Sequence, residues 1–159
     1  MNLKFKTINF EIIENIAIIR LNRPNSYNSL NAKMAKELLE ISYECDTNKK
    51  IRAIILTGEG NKAFCAGGDL KSFHETGNVA KHLKMVTHDL HGAITKFSRM
   101  NSPLIVAVNG VAAGAGLSFV GFADLAIAKS SATFVSAYTK AGLTPDGSSS
   151  YYLPRIIGI

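Results

Sequence analysis

The chain has 159 residues, 47% of them hydrophobic and 19% charged, and it carries no long polar tract. That is enough for one domain with a sizeable buried core, and it argues against intrinsic disorder. The net charge of +6 suits anionic partners. Its basic residues are scattered, however, with Lys49-Lys50 the only adjacent pair, and no basic stripe interleaves with aromatics, which argues against nucleic acid.

In chain order, residues 8–21 read as two strands about a turn near Glu14-Asn15. Asn22 to Ser26, broken by Pro24, is loop. Asn31 is placed to cap a helix over 32–45, whose Met34, Leu38, Ile41 and Cys45 share one face. Residues 51–57 form a buried strand ended by Gly58-Glu59-Gly60, followed by a loop over 61–68 and a short helix from about Asp69. A second long helix covers 79–98, with Leu83, Val86, Leu90, Ile94 and Phe97 at helical spacing. Leu104–Val108 is a further buried strand, Gly110–Gly114 a loop, 115–122 a short apolar helix, and 124–128 and 132–136 short strands. Leu143–Gly147 is a turn, and a last helix starts near Ser148. The alternation of apolar strands and helices implies an α/β fold.

The apolar stretch 103–128 is not a membrane span, because Pro103, Asn109, repeated glycines and Asp124 interrupt it. The beginning, MNLKFKTINF, lacks both the apolar core of a signal peptide and the Arg-rich bias of a transit peptide. Cys45 and Cys65 fit neither a disulfide framework nor a zinc pattern, so a reducing, cytoplasmic setting is expected. The final run, Tyr151 to Ile159, has no polar tail, and the expectation is that further chain covers it.

Two small-residue loops carry the chemistry. Lys62-Ala63-Phe64-Cys65-Ala66-Gly67-Gly68-Asp69-Leu70 and Asn109-Gly110-Val111-Ala112-Ala113-Gly114-Ala115-Gly116 each follow an apolar strand and lead toward a helix. Side chains this small leave backbone N–H groups bare, and one such group from each loop can grip a carbonyl oxygen as it gains negative charge. Read singly, either loop is equally a tight turn built for close packing. His88 and His91, three residues apart on a helix, permit a metal pair but lack a third ligand. Gly114 to Phe119 fails the dinucleotide fingerprint, and Gly116 to Val120 fails the nucleophile elbow.

Together with Leu21-Asn22-Arg23-Pro24 and Gly142-Leu143-Thr144-Pro145-Asp146-Gly147, these loops resemble the crotonase superfamily, the enoyl-CoA hydratase/isomerase family, over residues 8–158. The resemblance implies a crotonase-type α/β spiral of ββα units, with residues 1–159 the N-terminal core of a longer domain whose C-terminal helical part is missing. It implies an acyl-CoA substrate, coenzyme A being part of that substrate, no metal or redox cofactor, and a homo-oligomer, a trimer or a dimer of trimers. It assigns the two oxyanion donors to Gly68 and Ala115, and an acid/base role to Asp146, which follows a proline as in the isomerase-like members. The alternative for Asp146 is a cap on the helix near Ser148. A related dehalogenase uses an aspartate near this point as nucleophile.

The substrate contacts that the resemblance implies are Asn25, Ser26, Tyr27, Lys62, Ala66, Gly67, Asp69, Leu70, Gly114, Ser118 and Tyr138. Asp69 is equally a structural residue that holds its loop or caps its helix. Hydratases of the family place two glutamates where this chain has Ser118 and Tyr138, so neither position supplies a carboxylate here. The expected activity is therefore enoyl-CoA isomerisation, with hydration by other groups, or acyl-CoA binding without chemistry, as the alternatives.

Overall fold

The computed structural model describes residues 4–158. Two sheets form, in the order β1-β2-β3-β5-β7 and β4-β6-β8. The first is built from Ile8–Ile13 (β1), Ile16–Leu21 (β2), Ala53–Gly58 (β3), Leu104–Val108 (β5) and Leu125–Ala128 (β7). The second comprises Ala63–Cys65 (β4), Val111–Ala113 (β6) and Thr133–Val135 (β8). Five helices complete the chain: Ala32–Thr47 (α1), Leu70–His74 (α2), Val79–Phe97 (α3), Ala115–Gly121 (α4) and Ser149–Ile157 (α5). Among the described residues, no helix is long and apolar enough to cross a membrane.

Only β1 runs antiparallel, joined to β2 by a two-residue turn in which Glu14 (φ 48°) and Asn15 (φ 68°) both take the left-handed conformation. A turn of this kind matches the twist of paired strands. The remaining neighbours in both sheets are parallel. The parallel register aligns Ile19, Leu56 and Val106 across β2, β3 and β5, and all three are buried. Met34, Leu38 and Ile41 of α1 and Leu90, Ile94 and Phe97 of α3 complete the same apolar cluster. Each long helix starts on an asparagine. The Asn31 side chain accepts from the Met34 N–H at 2.9 Å, and that of Asn78 from the Lys81 N–H at 3.0 Å.

Two expected loops prove to contain strands. Residues 61–68 include β4, and residues 110–114 include β6. Each strand has three residues, so neither shows the alternation that marks a strand in sequence. Both β7 and β8 are exposed along their length, leaving Leu125, Ile127 and Phe134 about half accessible.

Candidate active site

Polar side chains at the ends of the main sheet fix the two small-residue loops. Asn109, just past β5, accepts from the Gly58 N–H at 3.1 Å and donates to the carbonyls of Gly58 and Gly60 at 2.8 and 2.7 Å. Asn28 donates to the carbonyls of Glu59 and Ala63 at 3.0 and 2.9 Å. The Arg23 guanidinium reaches Asp69 at 2.7 Å and the Ser29 carbonyl at 2.6 Å. Asp69 also caps α2 by accepting from the Ser72 N–H at 3.2 Å. The Leu-Asn-Arg-Pro motif thus works as a clamp on the Gly67–Gly68 loop. Leu30 holds the same loop from its other side, donating to the Gly67 carbonyl at 2.7 Å and accepting from the Asp69 N–H at 2.8 Å.

The two loops converge. A Cβ at Gly67, which has φ +98°, would lie 2.9 Å from the Ala113 carbonyl oxygen and 3.6 Å from the Gly114 Cα. Only glycine permits that approach. Gly67, Gly68, Gly114 and Ala115 all line one cavity of about 320 Å³. Ala115 is the first residue of α4, so its N–H has no partner within the helix. Among the described residues, no carbonyl accepts from the Gly68 or the Ala115 N–H.

Apolar side chains also line the cavity. Leu70 and Phe73 come from α2, and Leu83, Val86 and Leu90 from α3. Tyr138, Leu143, Thr144 and Asp146 close the remaining side, and Lys84 lines the cavity as well. Asp146 is the only carboxylate among the described lining residues. Its side chain is about 31% exposed, and the nearest cation-forming group is His91, whose Nε2 lies 3.8 Å from Oδ2. The same nitrogen accepts from the Gly147 N–H at 3.2 Å.

Asp146 does not cap α5 with its side chain. The N-cap is Ser148, which makes no side-chain cap bond, while the Asp146 main-chain carbonyl accepts from the Ser149 N–H at 3.0 Å. Its carboxylate is left for the cavity. Among the expected substrate contacts, Ala66, Gly67, Leu70, Gly114 and Tyr138 line that cavity with the three expected catalytic residues.

Six others do not. Asn25, Ser26 and Tyr27 form a surface turn, tied to the site through the Tyr27 carbonyl, which accepts from the Ala66 N–H at 3.1 Å. Lys62 is exposed in the loop before β4. Asp69 pairs with Arg23 and caps α2, and it does not line the cavity. Ser118 does not line it either. It is buried at 1% exposure, and its hydroxyl is spent on Tyr138 and on the Asp146 carbonyl rather than facing the cavity.

The other protic groups near the loops are poor bases. Burial pushes the Cys65 thiol up to about 12, with the Gly67 N–H offsetting only part of this, so it stays protonated. Burial also raises the Tyr138 phenol well above its usual range, and the Ser118 hydrogen bond offsets only part of the rise. His91 is the residue that sequence reasoning passed over as a site group. Its place opposite Asp146 depends on a contact spanning 56 positions to Gly147, which no local pattern reveals.

The family model for enoyl-CoA hydratase/isomerase matches residues 11–159. A 4-chlorobenzoyl coenzyme A dehalogenase from Arthrobacter sp. is 36% identical over 95% of this chain and 55% of its own length. The 1,2-epoxyphenylacetyl-CoA isomerase of Escherichia coli is 37% identical over 90% of this chain and 55% of its own. The crystal structure of an enoyl-CoA hydratase from Bacillus anthracis superposes with a TM-score of 0.89 at 29% identity, covering 97% of this chain and 59% of that one. The chain thus spans little more than half the length of the relatives it matches. Its strand and helix order, its paired glycine loops and this match over most of its length agree: the chain belongs to the enoyl-CoA hydratase/isomerase family, within the crotonase superfamily.

Proposed function

We propose that the chain forms the catalytic core of an acyl-CoA isomerase that shifts a carbon–carbon double bond by proton transfer. One observation carries the reading: a single carboxylate, Asp146, lines the cavity that Gly68 and Ala115 also line. The thioester oxygen of an enoyl-CoA sits between the two N–H groups. For a 3-enoyl thioester, Asp146 removes a proton from the carbon next to the thioester carbonyl. The electron pair moves onto the thioester oxygen as a dienolate, which the two amides stabilise. The protonated Asp146 then returns its proton to the fourth carbon, leaving the double bond conjugated and the carboxylate regenerated. Hydration through paired glutamates has no support here, because Ser118 and Tyr138 occupy those positions.

The test follows the rise of conjugated-thioester absorbance from a 3-enoyl-CoA in the full chain. Asp146→Asn is expected to lower kcat by roughly 10²–10⁴ while acyl-CoA binding stays nearly intact. Full activity in that variant sinks the assignment, and acyl-CoA binding without turnover by the unaltered protein points to a binding protein instead.

The neighbouring His91 favours one second reading. If Asp146 attacks a ring carbon that bears a leaving group, His91 stands where it can take a proton from the water that hydrolyses the resulting aspartyl ester. The dehalogenase relatives support it. Continuous halide release from 4-chlorobenzoyl-CoA, cut by His91→Gln to a single-turnover burst that leaves an aspartyl ester on Asp146, would favour this chemistry over isomerisation.

A further inference from the structure

Behind the cavity, Ser118 Oγ and Tyr138 Oη lie 2.7 Å apart, and both reach the main-chain carbonyl of Asp146, at 3.0 and 3.4 Å. Ser149 approaches the same oxygen with its hydroxyl at 2.8 Å and its N–H at 3.0 Å. Each hydroxyl has one proton to give. The shorter contacts assign the Tyr138 proton to Ser118 Oγ and the Ser118 proton to the Asp146 carbonyl. Ser118 is also within 3.4 Å of the Gly114 carbonyl, a weaker option. Both side chains are more than nine-tenths buried, at 1% and 7% exposure, so these bonds form with little competition from water.

The packing is equally tight. Gly147 has φ +58°, and a Cβ there would lie 2.8 Å from Ser118 Cβ. The 144–149 segment therefore rests directly on α4, the helix whose first amide is Ala115. One turn of α4 separates the Ala115 N–H from the hydroxyl that holds the Asp146 main chain.

On the isomerase reading above, we infer that Ser118 and Tyr138 are positioning residues that lock the Asp146 carboxylate at a fixed offset from the oxyanion amide of Ala115. The pair does not contact the acyl group through Ser118, and neither hydroxyl accepts a substrate proton. Together they replace a water-binding acid pair with a strut, which commits the site to proton transfer by one carboxylate. Displacement of a reacting group by about 1 Å is enough to cost 10²-fold in rate.

The experiment combines kinetics with amide hydrogen exchange on Ser118→Ala, Tyr138→Phe and the double variant of the full chain. The expected kcat is roughly ten- to a hundredfold lower, with KM within about twofold of the parent and the double variant no worse than the poorer single. Exchange at Gly147 and Ser149 is expected to quicken at least about tenfold, with α1 and α3 unaffected. Unchanged exchange in both single variants overturns the strut. Faster exchange with an unchanged kcat, or with KM rising as kcat falls, overturns the positioning role. If Ser118→Ala does not fold, Tyr138→Phe alone carries the same criteria. A parent protein that isomerises no enoyl-CoA contradicts the isomerase reading, and the strut is then judged by exchange.

Discussion

A methyl group at residue 116 would land on the Cys65 carbonyl, because the first turn of α4 lies directly against the end of β4. The obstacle is backbone, which cannot swing aside as a side-chain tip can. Gly116→Ala is therefore expected to lower unfolding free energy by about 3 kcal/mol, read by urea denaturation, whereas a loss under about 0.5 kcal/mol would mean that the contact is slack. At this scale the small residues were legible in the sequence, since a loop that must approach another backbone leaves glycine as its trace. Asp146 was legible as a candidate, and its side chain does not cap α5. The contacts of Ser118 and His91 were not legible. Their partners come from the 138–147 segment, and a helix-face argument shows which residues share a side without showing what lies opposite.

Among the elements, α1 is tied to the segment before β1 through one buried carboxylate. Glu37, with no exposed side-chain surface, accepts from the Lys6 N–H at 2.8 Å and the Thr7 N–H at 2.9 Å, and also from the Thr7 hydroxyl, with Lys33 at 3.3 Å. Burial works to raise its pKa, but these four donors together hold it below the ordinary value. A carboxyl depressed on folding stabilises the fold above the unfolded value of about 4.3, and this contribution is lost as pH falls through the lower folded value. Glu37→Gln turns an amide N–H toward these donors and is expected to cost about 1–3 kcal/mol near neutral pH. The gap to the parent should narrow as pH drops below about 4.3, and a gap that stays constant into acid would contradict the account.

The long elements were readable because their apolar residues repeat at helical spacing or fill whole strands, as Met34, Leu38 and Ile41 do. β4 and β6 were not, because Ala63-Phe64-Cys65 and Val111-Ala112-Ala113 become strands by pairing with each other across about half a hundred residues, and β6 with β8 besides.

In the molecule as a whole, the two small-residue loops, α2, α3 and the 137–146 segment bring apolar side chains, Gly68, Ala115 and Asp146 to one cavity. The exposed apolar strands β7 and β8 stand at the ends of their sheets, in a chain that spans little more than half the length of its relatives. The family and the spiral architecture were legible because their signature loops recur in order along the chain. The shape of the cavity was not, because it is set by side chains that only the fold assembles. The most direct measurement is a crystal structure of the full chain with an unreactive acyl-CoA analogue bound. The thioester oxygen is expected within about 2.7–3.1 Å of both the Gly68 and Ala115 nitrogens, with the Asp146 carboxylate against the carbons beside the thioester. An oxygen that meets one amide only, or an acyl chain running away from Asp146, would contradict the account.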